Sequence, residues 1–457
     1  MRPLEVISLV LIGISIYLLI FKKDEKKFLP ILFIAILFTL LQYYVEGFRW
    51  QLNIALFLLP FLYLQYRFLL YRFLFLKILT SIWYLTSLII PILIPVFSLP
   101  EPAGIYDVGT ETFYWKDTTR LEWFTVNDSS DVRKLVVQAW YPGKRENQSK
   151  PEPYLDYIDL RAKTMAEAGK IPSFFPTHLK YVKSNSYKNI NVIKNDRKGI
   201  PILIFSHGIT GSRLLHQILF ESLASKGYTV FALDHSYDSN ISIFPDSTVA
   251  DYRSDLTGHV DSIKIRKKQI ETRAKDVTFV INKIEEIQEN KVVSKLNNAL
   301  DLNKISVGGH SYGGATAIYA SSLDNRIIKC VILDGWFSPL PDEVISSGVQ
   351  IPILCLGRPS WKDSDYPLNY NKLEALIDNS KSDKFNIFMK NTLHLDFTDI
   401  PVFSPLIRYV MDVGSNPSHV SINSVNDISF LFLEKTTNRQ LSENLEKYLD
   451  NKIFTQK

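Results

Sequence analysis

The chain has little cysteine and no clustered metal ligands. Its 457 residues hold two cysteines, Cys330 and Cys355. Both lie in apolar, strand-like runs, IIKCVILD and IPILCLG, and read as buried thiols. A bridge between them needs Cα atoms within about 7 Å, which sequence alone does not give. No group of Cys and His has the spacing of metal ligands, so no metal or cofactor is expected at a site. The soluble part also lacks a charge bias. Residues 1–100 hold 9 Lys+Arg and 4 Asp+Glu of the 52 and 47 in the chain, so the remainder balances at 43 of each. All the excess positive charge therefore lies in the first hundred residues, and the basic footprint of a nucleic-acid partner is absent. There is no internal repeat and no low-complexity segment. A content of 46% hydrophobic and 13% aromatic residues excludes a disordered chain.

What the first hundred residues do have is long apolar runs. They cover residues 4–21, 28–45, 52–66 and 78–99. Crossing a bilayer takes about 20 apolar residues, so runs one, two and four have the length. Run three is short and gains length only if Arg67 and Arg72 snorkel. Three further runs follow the first, and no small-residue cleavage site stands out, which argues against a cleaved signal peptide. Residues 1–99 are thus expected to be a multi-pass anchor of about four helices in the cell membrane. Lys22, Lys23, Lys26 and Lys27 follow run one, and Arg67, Arg72 and Lys77 follow run three. With four spans these loops share one side, the cytoplasmic one, and the C-terminal part faces outward. That parity depends on run three spanning.

From about residue 100 to 457 apolar strands alternate with helices, as in IPILIFSHG, YTVFALDH, KISVGGHS, IIKCVILDG, IPILCLGR and FNIFMK. This rhythm implies an α/β domain with a mostly parallel sheet covered on both faces. In SVGGHSYGGATA, Ser311 stands between Gly309 and Gly313, where a strand ends and a helix begins. A nucleophile elbow needs that context, since a sharp turn lifts the hydroxyl above the sheet edge. The glycines let strand and helix approach without Cβ clashes. The Tyr312 backbone N–H can then point at a developing oxyanion. On this fold the acid and then the base follow the serine. Only His394 and His419 follow Ser311. His394, in MKNTLHLDF, sits in a loop after the last apolar strand and is the candidate base. His419 leads into a later helix and reads as surface. For the acid, topology favours Asp334, at the strand end in VILDGW, only modestly over Asp363 or Asp365 in RPSWKDSDY. A second oxyanion donor is expected from FSHGITGSR, where the Ile209 N–H is the candidate and His207 shapes the loop.

The ordered stretches FSHGITGSR, GGHSYGGAT, LDGWFSPLPDEV and HLDFTD resemble the plasma-type platelet-activating factor acetylhydrolases and their bacterial relatives. AGKIPSFFPTHLKYVKS is similar to that family's helical insertion before the first core strand. The resemblance spans roughly residues 100–450. It implies an α/β-hydrolase fold with Ser311 as nucleophile, Asp334 as acid, His394 as base, and Ile209 and Tyr312 as oxyanion donors. It also implies that Trp336 and Phe337 help wall an acyl pocket, although plain core packing would account for them equally. The expected partner is a lipid or other small ester, with a preference for short or oxidised sn-2 acyl chains. The four-run anchor departs from the plasma enzyme's pattern. Two other functions fit the same fold: a serine peptidase, and a membrane sensor that binds without cleaving. Oligomeric state is not legible.

Overall fold

The computed structural model describes residues 1–193, 199–256, 259–434 and 454–456. The chain divides into two compact units. One gathers residues 1–98, 158–182 and 403–406, and the other holds the rest.

In the first unit every apolar run becomes a helix: α1 (Pro3–Ile16, continued by a π-helical turn Tyr17–Lys22), α2 (Glu25–Glu46), α3 (Asn53–Arg67) and α4 (Leu74–Leu93). Leu9, Ile12, Leu19, Phe28, Leu58 and Leu62 form its core. Many other apolar residues face outward, among them Phe33, Leu40, Phe57 and Ile82. Among the described residues, three helices, Pro3–Lys22, Glu25–Glu46 and Leu74–Leu93, are long and apolar enough to cross a membrane. The expectation of about four spans narrows here. Helix α3 has 15 residues and ends at Arg67, which gives it about 22 Å against a hydrocarbon core of about 30 Å.

The charged residues of the four long helices gather at the helix ends. Buried Glu5 pairs with Arg49 at 2.7 Å, and Arg49 Nη1 donates to the Ile94 carbonyl at 3.2 Å. At the opposite ends of the helices Tyr71 donates to Glu25 at 2.6 Å, near the lysine-rich turn. Helix α5 (Ile158–Gly169) and a 3-10 helix (Phe175–Tyr181) belong to the same unit. The Trp50 indole N–H donates to the Phe175 carbonyl at 3.1 Å, its ring lies 5.3 Å from that of Phe174, and Tyr181 donates to the Phe48 carbonyl at 2.7 Å.

The second unit is built on one sheet. Its strands in chain order are β1 (Asp107–Leu121), β2 (Val132–Lys144), β3 (Pro151–Pro153), β4 (Lys183–Lys188), β5 (Asn191–Val192), β6 (Ile200–Ser206), β7 (Thr229–His235), β8 (Ile241–Ile243), β9 (Val249–Asp251), β10 (Leu300–His310), β11 (Ile327–Leu333), β12 (Ile353–Gly357), β13 (Lys384–Met389) and β14 (Phe454–Gln456). The sheet order is β14-β13-β12-β11-β10-β6-β7-β2-β1-β4-β3, with β5 on β2 and β8-β9 forming a separate ribbon. From β7 through β6, β10, β11 and β12 to β13 every pairing is parallel. Those strands read as continuous apolar runs because helices cover both faces, and β6, β7, β11 and β12 are almost wholly buried. The helices of this unit are α6 (Gln217–Ser225), α7 (Ser262–Gln288), α8 (Tyr312–Leu323), α9 (Asp342–Ser347), α10 (Asn369–Asn379) and α11 (Ser418–Glu434). The stretch VNDISFLFLEKTT reads as a helix after the last strand; α11 covers it to Glu434, and residues 435–437 lie outside the described residues. Cys330 and Cys355 are buried free thiols on adjacent strands, as expected. The parallel strands end on one edge, and the loops there carry the chemistry.

Candidate active site

Ser311 occupies the turn between β10 and α8 with φ 57° and ψ −121°. That backbone conformation is strained for a non-glycine residue. The crossing is tight enough to require both flanking glycines. A Cβ on Gly309 would fall 2.2 Å from the Gly313 carbonyl carbon, and one on Gly313 would fall 2.0 Å from the Ser206 carbonyl oxygen. Bonds from the Ser311 N–H to Leu333 O (3.0 Å) and from the Trp336 N–H to Ser311 O (2.9 Å) fasten the turn to the end of β11. The hydroxyl makes no hydrogen bond to another side chain among the described residues.

Asp334, one residue past β11, is 1% exposed. Its Oδ2 accepts from His394 Nδ1 at 2.6 Å. Its Oδ1 accepts from the Arg358 N–H (3.0 Å) and the Trp361 indole (3.2 Å), and the Tyr370 hydroxyl, which donates to the Arg358 carbonyl at 2.5 Å, lies 3.3 Å away. Burial and the Asp334 charge push the Tyr370 phenol well up, so it stays a donor. Asp363 and Asp365 are both solvent-exposed. His394 opens a 3-10 turn after β13, and its N–H donates to Asp412 Oδ2 at 3.1 Å. Its ring lies against His310 on one side (4.6 Å) and edge-on to Trp361 (5.2 Å). His310 Nε2 hydrogen-bonds the His394 carbonyl at 3.0 Å, and the His216 ring lies beyond it, tilted, at 5.2 Å. Burial pushes His216 down to about 3 and His310 well below its ordinary range, so both stay neutral. His419 is exposed on α11.

The loop after β6 closes over the elbow. The position a Cβ would take on Gly208 is 3.1 Å from Ser311 Cβ. Neither the Ile209 N–H nor the Tyr312 N–H has an acceptor among the described residues. Tyr312 is also the first residue of α8, where the helix dipole favours negative charge. His207 is buried beneath this loop. Its Nε2 accepts from the His235 N–H at 3.2 Å, and its carbonyl accepts from Arg273. Trp336 and Phe337 both belong to the hydrophobic core. The Trp336 ring lies 5.4 Å from Tyr312 and 4.4 Å from Tyr366, whereas Phe337 is 1% exposed.

Sequence reasoning missed Arg358, Trp361, Tyr370, His310 and Asp412, and it missed a second Ser–His–Asp chain. Ser206 Oγ contacts His235 Nε2 at 3.1 Å, and His235 Nδ1 contacts Asp276 at 2.9 Å. All three residues are 1% exposed or less, so no substrate reaches them. They brace the strand end from which the Gly208 loop departs.

The fold and the strand–Ser–helix elbow define an α/β-hydrolase. A ferulic acid esterase from Streptomyces cinnamoneus shares the fold, with a TM-score of 0.60, 21% identity, and coverage of 79% of this chain and 99% of that one. The family profile "Platelet-activating factor acetylhydrolase, isoform II" matches residues 95–453, and the chain belongs to that family. It is an ester hydrolase. A platelet-activating factor acetylhydrolase from Canis lupus familiaris is 26% identical over 358 residues, 74% of this chain and 77% of that protein. One from Bos taurus is 28% identical over 256 residues, 51% and 56% of the two chains.

Proposed function

We propose that the protein is a membrane-anchored serine ester hydrolase cleaving short or oxidised sn-2 acyl chains from phospholipids or similar small esters. Ser311 is its nucleophile, His394 its base and Asp334 its acid. The observation that carries this reading is the 2.6 Å bond between His394 Nδ1 and Asp334 Oδ2, at the strand edge where Ser311 stands. His394 Nε2 takes the Ser311 proton as Oγ attacks the ester carbonyl, and Asp334 stabilises the imidazolium. The Ile209 and Tyr312 N–H groups hold the oxyanion, each at about 2.7–4 kcal/mol in hydrolases of this kind. Collapse returns the proton to the departing alcohol, and water then cleaves the acyl-enzyme by the same route. Trp336 borders the acyl site.

The test is hydrolysis of p-nitrophenyl acetate and a short-acyl phospholipid by detergent-purified full-length protein, beside Ser311→Ala. The wild type turns over both esters and takes a fluorophosphonate label, and Ser311→Ala loses both properties. Cleavage of aminopeptides in place of esters would make it a peptidase. Silence toward every ester and the probe would make it a binding protein.

Residues 1–99 serve as the anchor and 100–457 as the catalytic domain in this reading, keeping the site close to lipid and raising its effective concentration. The Tyr71–Glu25 bond puts the end of α3 beside the lysine-rich turn, so in this reading α3 crosses despite its length with Arg67 and Arg72 snorkelling, which supports cytoplasmic cationic turns and an extracytoplasmic hydrolase. Protease added to intact cells should then abolish activity. Activity that survives until the membrane is opened would reverse the sidedness.

A further inference from the structure

A cation stands beside the acid of the proposed triad, and the three functional roles leave it unexplained. Arg358, one residue past β12, is 7% exposed. Its Nε lies 3.3 Å from Asp334 Oδ2, the oxygen that binds His394. That N–H completes no hydrogen bond of its own among the described residues. The other end of the guanidinium lies 3.4 Å from Asp412 Oδ2, which accepts the His394 backbone N–H. The flat of the guanidinium rests 4.4 Å from the Trp361 ring centre, which fixes it in place.

The carboxylate does not need this side chain for its orientation. Oδ1 is already held by the Arg358 backbone N–H and the Trp361 indole. What the guanidinium adds is charge. It neutralises part of Asp334 and repels a second positive charge in the same crevice, and the imidazolium of His394 is that charge. Its field reaches the neighbouring imidazole too. Burial, then the charges of His394, His216 and, less, Arg358, hold His310 well below the ordinary histidine range. The groups around the base are therefore Asp334 and Arg358 from the ends of β11 and β12, and His310 from β10. His216 precedes α6, Tyr370 lies on α10, Asp396 lies within the turn that His394 opens, and Asp412 accepts the His394 backbone N–H.

We propose that Arg358 is a positioning residue that resists protonation of the catalytic histidine and so extends ester hydrolysis to more acidic pH. This rests on the triad assignment above. In the cycle, the proton His394 takes from Ser311 is returned more readily to the leaving alcohol, and in acid the base stays free.

The experiment is the pH dependence of kcat/KM for p-nitrophenyl acetate with full-length protein in detergent. In Arg358→Gln the midpoint of the acid limb should move up by about 0.5–1 pH unit, as expected for removing a unit charge several ångströms away at an intermediate dielectric. Arg358→Lys, which keeps the charge, should restore the limb. Asp412→Asn removes a half-exposed carboxylate and frees the full field of Arg358. It should move the limb the other way by a smaller amount, and it remains informative if Arg358→Gln does not fold. A fall in kcat at every pH with the midpoint unmoved would make Arg358 merely structural and overturn the proposal, as would an unmoved limb in Asp412→Asn. Failure of the triad reading is separate, because Ser311→Ala would then retain activity.

Discussion

Asp334→Asn should lower kcat about 10⁴-fold on any ester the protein cleaves, with KM and the melting temperature changed little. The size follows from how the carboxylate is held. Oδ1 receives two N–H donors, from the Arg358 backbone and the Trp361 indole, with the Tyr370 hydroxyl 3.3 Å away. An asparagine must therefore turn its carbonyl oxygen to that side and its NH₂ toward His394. The NH₂ then donates to Nδ1, which holds the ring proton on Nε2. The nitrogen that should receive the serine proton is then already protonated. Lost stabilisation of the imidazolium adds to the same effect. Steady-state kinetics with circular dichroism as a folding control provide the measurement. A loss under tenfold, with a large loss in Asp363→Asn or Asp365→Asn, would move the acid to the exposed loop.

Local signals carried the elbow. A small-residue turn between an apolar strand and a helix has few other uses, and Ser311 sits there with φ 57°. Chain order and loop position selected His394 over His419, and the structure puts His394 on Asp334 and His419 on an exposed helix face. The acid was less legible. Asp334, Asp363 and Asp365 all follow strand ends, and only the packed fold separates a residue holding His394 from two solvated ones. Arg358, Trp361 and Tyr370 lie 24 to 36 positions beyond Asp334, with no spacing that announces them. Apolar periodicity also does not say which unit a segment joins. AGKIPSFFPTHLKYVKS reads as an insertion in the hydrolase, yet its Phe174 and Phe175 pack around Trp50. The third apolar run reads as a short span because composition shows its polarity and not where the helix stops.

Arg133→Met should destabilise the protein by about 3–5 kcal/mol, because it leaves buried Glu122 without its cation and buried Asp276 with Arg120 as its remaining arginine. Arg133 is 1% exposed on β2. It bonds both oxygens of Asp276 (3.1 and 2.7 Å), Glu122 (2.8 Å) and the Ser236 carbonyl (2.9 Å). Burial alone would raise Asp276, but Arg133, His235 and Arg120 outweigh it and hold the carboxyl well below the usual range. A carboxylate depressed in the fold contributes stability above its unfolded pKa and loses it as pH falls through the folded value. The deficit of Arg133→Met should therefore be largest near neutrality and narrow below about pH 4, where the unpaired acids protonate. Against a total of about 5–15 kcal/mol, that loss is enough to unfold a sizeable fraction of molecules at physiological temperature. Activity should fail before the fold does, since Asp276 holds His235, His235 holds Ser206, and the loop proposed to carry the Ile209 oxyanion donor leaves the sheet at Ser206. Thermal unfolding at pH 7 and at about pH 3.5, below the unfolded carboxylate range, measures the deficit and the direction in which it changes. A loss below about 1 kcal/mol at pH 7, or a deficit that grows in acid, would mean that the two carboxylates find protons or water in the folded state. The network would then be holding the oxyanion loop in place without holding the domain together.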